Sequence, residues 1–76
     1  MPDRELTDAL LEVIRERMEQ DGVSGNRLAA LAGMKQPTLA KHLRGAGTPT
    51  VDDFDAIARA LGTDLQELLE AARRRL

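Results

Sequence analysis

Seventy-six residues make one small domain, residues 1–76, which must bury its apolar side chains efficiently to be stable at all. With no cysteine and a single histidine there is no disulfide, no thiolate site and no zinc set, so neither metal nor cofactor is expected. Twelve Leu and eleven Ala against one Phe favour helix over sheet. No apolar run approaches a membrane span, and Met1 leads into Asp3 and Glu5 rather than a basic leader, so the expectation is a cytoplasmic all-α domain with a formal charge of −2.

The first predicted helix runs from Leu6 to Met18. Leu6, Leu10, Ile14 and Met18 recur every fourth residue with Val13 beside them, forming one apolar stripe, while Glu12, Arg15, Glu16, Glu19 and Gln20 fall on the wet side. Asp21-Gly22 ends it, because glycine accepts the left-handed conformation that closes a helix. Ser24 can cap a second, short helix reaching about Ala32, with Leu28 and Leu31 as its apolar residues. Gly33 supplies another turn. A third helix is expected from about Pro37 to Leu43, with the proline in the first turn, where its missing N–H would have had no intrahelical partner. Leu39 and Leu43 are its apolar positions, and His42 is expected at the edge of the core. Gly45-Ala46-Gly47-Thr48-Pro49 is a loop.

Thr50-x-x-Asp53 resembles a capping box and opens a helix over about residues 51–61, carrying Val51, Phe54, Ile57, Ala58 and Leu61 inward. Gly62 stops that helix. Thr63-x-x-Gln66 reads as a second capping box, opening a last helix over about 64–75 with Leu65, Leu68, Leu69 and Ala72 on its apolar side. Arg73, Arg74 and Arg75 complement the dipole at its C-terminal end. Five helices result, with no internal repeat and no low-complexity segment.

The charges are unevenly placed. Gly22 to Val51 contains no acid but holds Arg27, Lys35, Lys41 and Arg44, a balance of +4, while the remainder holds thirteen acids against seven bases, a balance of −6. The pI near 5.3, taken alone, argues against a nucleic-acid binder. An anionic partner would nevertheless meet one positive face in repelling surroundings.

Inside that stretch lies Ser24 to Gly45, SGNRLAALAGMKQPTLAKHLRG. Two helices crossing steeply through a tight turn need a small residue where their backbones approach. Ala29 is placed for that, with Leu28, Met34 and Leu39 filling the wedge. The second helix then exposes Lys35, Gln36, Thr38 and Lys41, side chains of the kinds that reach base edges and phosphates in a major groove. Arg27 projects from the first of the two and is free either to pair with an acid of the opening helix or to meet DNA.

Leu28-Ala29, Gly33-Met34, Leu39 and Gly45, followed by Pro49-Thr50 and Phe54-x-x-Ile57-Ala58-x-Ala60-Leu61-Gly62-Thr63-x-Leu65-x-x-Leu68, resemble the Cro/phage-repressor (XRE-type) helix-turn-helix family. The resemblance covers about Leu6 to Leu69. It implies a compact five-helix repressor-like DNA-binding domain with its helix-turn-helix over about residues 24–45. The implied function is sequence-specific transcriptional regulation, as a repressor, with the helix from Gln36 to Leu43 in the major groove of a (pseudo)palindromic operator. The implied partners are double-stranded DNA and a second copy of the chain, with the apolar side of the last helix around Leu65, Leu69 and Leu76 as a candidate dimer surface.

By position, the resemblance assigns Lys35, Gln36, Pro37 and Lys41 to bases. It assigns Ser24, Gly25, Asn26, Thr38, Arg44 and Thr48 to phosphates, the first three through the N-terminus of the second helix. Three positions depart from the family pattern: Gly25 stands where Gln is frequent, Lys35 where Ser or Thr usually caps the recognition helix, and His42 where the residue is generally apolar. Two alternatives stay open. One is a helix-turn-helix used for protein interaction without DNA binding, favoured by the acidic net charge and by Gly25; the other is the DNA-binding antitoxin of a toxin–antitoxin pair. No enzyme is expected, since the chain has no Cys or Tyr, one His and no phosphate-cradling glycine loop.

Overall fold

The leucine and alanine spacing becomes five helices: α1 Glu5–Asp21, α2 Gly25–Ala32, α3 Gln36–Leu43, α4 Val51–Ala60 and α5 Leu65–Arg73. The computed structural model describes residues 4–76, and among them there is no strand. The stretch from Met1 to Asp3, on which the reading of the chain's start relied, lies outside the described residues.

Two glycines close the first two helices in the same way. Gly22 and Gly33 adopt φ of 66° and 71°, and the next N–H, of Val23 or Met34, returns to the carbonyl of Met18 or Ala29. This left-handed closure is the glycine C-terminal motif, and it turns the chain sharply before each following helix. Ser24 caps α2, its Oγ accepting from the Arg27 N–H at 3.1 Å. The capping box at α4 is complete: Thr50 Oγ1 accepts from the Asp53 N–H at 3.0 Å, and Asp53 Oδ2 accepts from the Thr50 N–H at 2.9 Å. Helix α5 departs from the expected Thr63-x-x-Gln66 box. Its cap is Asp64, whose Oδ1 accepts from the Glu67 N–H at 2.8 Å. Thr63 is still closing α4, its N–H bonded to the Ala58 carbonyl at 3.0 Å, so the backbone becomes extended only at Asp64. The Thr63 hydroxyl instead donates to the Glu67 carboxylate.

The core takes Leu10, Leu11 and Ile14 from α1, Leu28 and Ala29 from α2, Leu39 from α3, Phe54, Ile57, Ala58 and Leu61 from α4 and its end, and Leu68 and Ala72 from α5. The buried arc of α1 is wider than one four-residue column because α5 and α3 both pack on this helix. Leu6 and Met18, at its ends, are only partly buried. Val51, expected inward, and Leu31, expected as an apolar residue of α2, both lie outside the core. Val51, the first residue of α4, is 72 % exposed, and the buried face of that helix begins one turn later at Phe54. Leu31 is 53 % exposed, because so short a helix as α2 buries only the arc through Leu28, Ala29 and, partly, Ala32.

Helices α1 and α5 make the most extensive contact in the molecule, α2 packs on α4 and α3, and α4 meets α5. Beyond α5, Arg75 hydrogen-bonds Glu16 and lies 3.8 Å from Glu12, both on α1. The hydrogen bond from Arg75 holds the Glu16 carboxyl below its ordinary value of 4.5 against the opposing effect of desolvation, and correspondingly raises Arg75. Among the described residues no helix is long and apolar enough to cross a membrane.

Candidate nucleic-acid interface

Helices α2 and α3 meet through the turn at Gly33 and Met34. Ala29, 2 % exposed, lies at their crossing, flanked by the fully buried Leu28 and Leu39. Gly33 is left-handed and the Met34 N–H is tied to Ala29, so the turn fixes the angle at which α3 leaves α2. Helix α3 buries Leu39 and His42 and half-buries Leu43. The arc left outside consists of Gln36, Pro37, Thr38, Lys41 and Arg44, all exposed, with the half-buried Ala40 among them and no carboxylate.

A family model described as a helix-turn-helix domain matches residues 9–72. The chain belongs to the helix-turn-helix domain family. No curated protein and no solved structure matches it. The match runs from α1 into α5, so the helices that frame the helix-turn-helix are part of the family resemblance as well as the motif itself.

Each departure from the pattern has a structural counterpart. Lys35 occupies the cap position of α3 in an extended conformation and offers no side-chain acceptor. Its carbonyl accepts instead, from the Thr38 and Leu39 N–H groups at 3.0 and 3.1 Å, and Pro37 in the first turn brings no donor that needs a partner. The Lys35 side chain is therefore left exposed at the start of the helix. At Gly25 a Cβ would meet nothing within 4 Å, so the glycine answers no steric demand and leaves open the space a glutamine would fill. Ser24 Oγ is engaged as a cap, and the first turn of α2 contains no acid to compete for an anion. Ser24 and Asn26 are exposed and Gly25 is half-buried.

His42 is 8 % exposed, with Nε2 3.5 Å from Asp53 Oδ2. That carboxylate oxygen also closes the capping box of α4. The one histidine thus brings α3 to the start of α4, which is how a polar side chain occupies an otherwise apolar position; among the described residues its Nδ1 has no partner.

The loop after α3 supports Lys41. Gly47 has φ of 81°, and a Cβ there would come within 3.2 Å of Lys41 Cε, so the lysine stem lies directly on the glycine backbone. Only glycine meets both conditions without strain. Thr48, the remaining expected phosphate contact, is exposed in the same loop. Arg27 forms no ion pair among the described residues and points to solvent.

Two residues escaped the sequence reading. Arg15 of α1, placed there simply on the wet side, donates from Nη1 to the Leu43 carbonyl at 2.5 Å, and Arg4 donates from Nη1 to the Gly45 carbonyl at 2.9 Å. The available signal was their spacing. Arg4, Leu11 and Arg15 stand at i, i+7 and i+11, one side of a helix, and Leu11 is buried between the two arginines.

Proposed function

We propose that the chain is a sequence-specific DNA-binding transcriptional regulator, acting as a repressor, with α3 in the major groove. The observation that carries this reading is the acid-free outer arc of α3, Gln36, Pro37, Thr38, Lys41 and Arg44, on a helix held by a helix-turn-helix crossing. Gln36 has the paired donor and acceptor that adenine presents in reverse, Lys35 and Lys41 suit guanine O6 and N7, and Pro37 suits a thymine methyl. Thr38, Arg44 and Thr48 face the flanking phosphates, and the amides of Gly25 and Asn26 beside Ser24 offer a helix N-terminus to another. The acids of α1, α4 and α5 repel DNA from the other sides, so the docking face is selected by charge as well as by shape.

One such module reads few bases. Two copies on a palindromic site, with half-site centres about 34 Å apart, supply the affinity a regulator needs, so the DNA-bound form is a homodimer. Its place of action is the cytoplasm, on the chromosome.

The test is fluorescence anisotropy on duplex DNA from upstream of the protein's own coding region, beside a scrambled duplex, at several salt concentrations. Tighter binding to the native duplex, with log affinity falling steeply in log salt, supports the reading. No binding to either duplex at low salt refutes it and favours a helix-turn-helix used for protein interaction. Lys41→Ala reduces the salt slope by about one if the lysine meets a phosphate, or relaxes specificity at one base by about 1–3 kcal/mol if it reads an edge. An unchanged isotherm removes Lys41 from the interface.

A further inference from the structure

Helix α3 is the least enclosed of the five. It is eight residues long, buries only Leu39 and His42, packs chiefly on α2 and meets α1 only sparingly. Its N-terminal end is fixed by the turn at Gly33; its C-terminal end has His42 beside Asp53 of α4 and then runs into the loop Gly45–Pro49, which has no regular structure. Two guanidinium groups reach that end from α1 and the residue before it: Arg15 to the Leu43 carbonyl and Arg4 to the Gly45 carbonyl, across 28 and 41 residues of sequence. The Leu43 carbonyl is in the last turn of α3, where acceptors lack intrahelical partners and the dipole is negative, and the Gly45 carbonyl follows just past the C-cap Arg44, so a cation there satisfies geometry and charge together. Arg4 is itself steadied by Asp8, 3.8 Å away, one turn further along α1.

We propose that Arg15, with Arg4 beside it, is a positioning residue that sets the pose of α3 without touching DNA. The inference deepens the DNA-binding reading and rests on it for its functional consequence. Because the Arg15 bond lies at the surface, its loss leaves the fold standing, but it frees the end of the helix that carries Lys41 and Arg44. A reading helix displaced by even a fraction of its contact distances loses base discrimination before it loses phosphate attraction.

Two measurements on Arg15→Met and Arg15→Lys test this. In the free protein, amide hydrogen exchange is followed at Arg44, Gly45 and Ala46, whose N–H groups close the end of α3 on Ala40, His42 and Lys41, with Leu28 and Phe54 as controls. Arg15→Met is expected to speed exchange at the three amides about tenfold and leave the controls unchanged, consistent with one charge-assisted hydrogen bond lost. Arg15→Lys, which restores a cation and a donor, recovers part of the protection. On DNA, Arg15→Met lowers affinity for the native duplex about tenfold with the salt slope unchanged. Unaltered exchange overturns the proposal, and so does uniform acceleration that includes the controls. A slope smaller by about one also overturns it, because Arg15 would then be a phosphate contact. Should the parent protein bind neither duplex, the DNA reading falls, while the exchange pattern still decides whether Arg15 holds α3.

Discussion

The body formed by α1, α4 and α5 and the reading unit formed by α2, its turn, α3 and the loop are built on different physics. The body is held by branched side chains packed on one another, Leu10, Leu11, Ile14, Ile57 and Leu68 among them, and its outside is dominated by acids. The reading unit has no acid from Gly22 to Val51, contributes Leu28, Ala29 and Leu39 to the core, and is fastened by two hydrogen bonds, Arg15 to Leu43 and Arg4 to Gly45, with His42 set 3.5 Å from Asp53. Apolar packing supplies most of the stability and tolerates small shifts; hydrogen bonds supply little net stability but fix position. A protein that must present a few side chains in one geometry gains from placing the two kinds of force in separate regions.

The contrast can be tested from its strongest element downward. Ile57→Ala empties a fully buried site in the body and is expected to destabilise by about 2–5 kcal/mol, read as a lower denaturant midpoint with every helix lost together. If α3 melted separately, the two regions would be less cooperative than their shared core implies. Ala29→Leu adds three carbons where α2 and α3 cross and is expected to cost about 1–3 kcal/mol by overpacking. A variant as stable as the parent would mean that the crossing is wider than the burial of Ala29 indicates. Thr50→Ala removes the cap of α4 at a cost of about 1 kcal/mol, while Asp53 Oδ2, held by the backbone N–H at position 50, is expected to keep its place beside His42. Histidine ring signals that stay in place would show that Asp53 holds its position without the box.

The smallest effect lies at the α1–α5 junction and depends on pH. The Glu16 carboxyl is held below its ordinary value of 4.5 by the hydrogen bond from Arg75, so its contribution is complete above that value and is lost as pH falls through the lowered one. Glu16→Gln should therefore lower Tm slightly near neutrality, and the difference from the parent should vanish in acid. A difference that persists below the folded pKa would assign the effect to packing instead.

How far the sequence could be read depended on whether a feature was local. The caps at Ser24 and Thr50, the closures at Gly22 and Gly33, and the inward stripes of α1 and α4 all follow from residues within one or two turns of each other. The outer arc of α3 was legible for the same reason, since Leu39 and His42 define its inner side and the rest must face out. Periodicity says which residues share a face, not where the neighbouring helix stops, and so Val51 and Leu31 were read as inward or apolar and lie exposed. Two adjacent cap-forming residues, Thr63 and Asp64, could not be ranked without knowing that the Thr63 N–H still serves α4. The bonds from Arg4 and Arg15, and the His42–Asp53 pair, join residues far apart in the chain, and local pattern has no access to them.

The dominance of the α1–α5 contact bears on how the molecule is made. Translation produces the leucine side of α1 well before its main cover, Leu68 and Ala72, and Arg75 finds Glu16 across 59 residues. Until α5 has been synthesised, α1 carries a bare apolar stripe and the reading unit has no finished body to rest on. A chain cut before residue 65 is accordingly expected to be a target for proteolysis. Joining early and late helices thus ties completion of the core to synthesis that has reached α5.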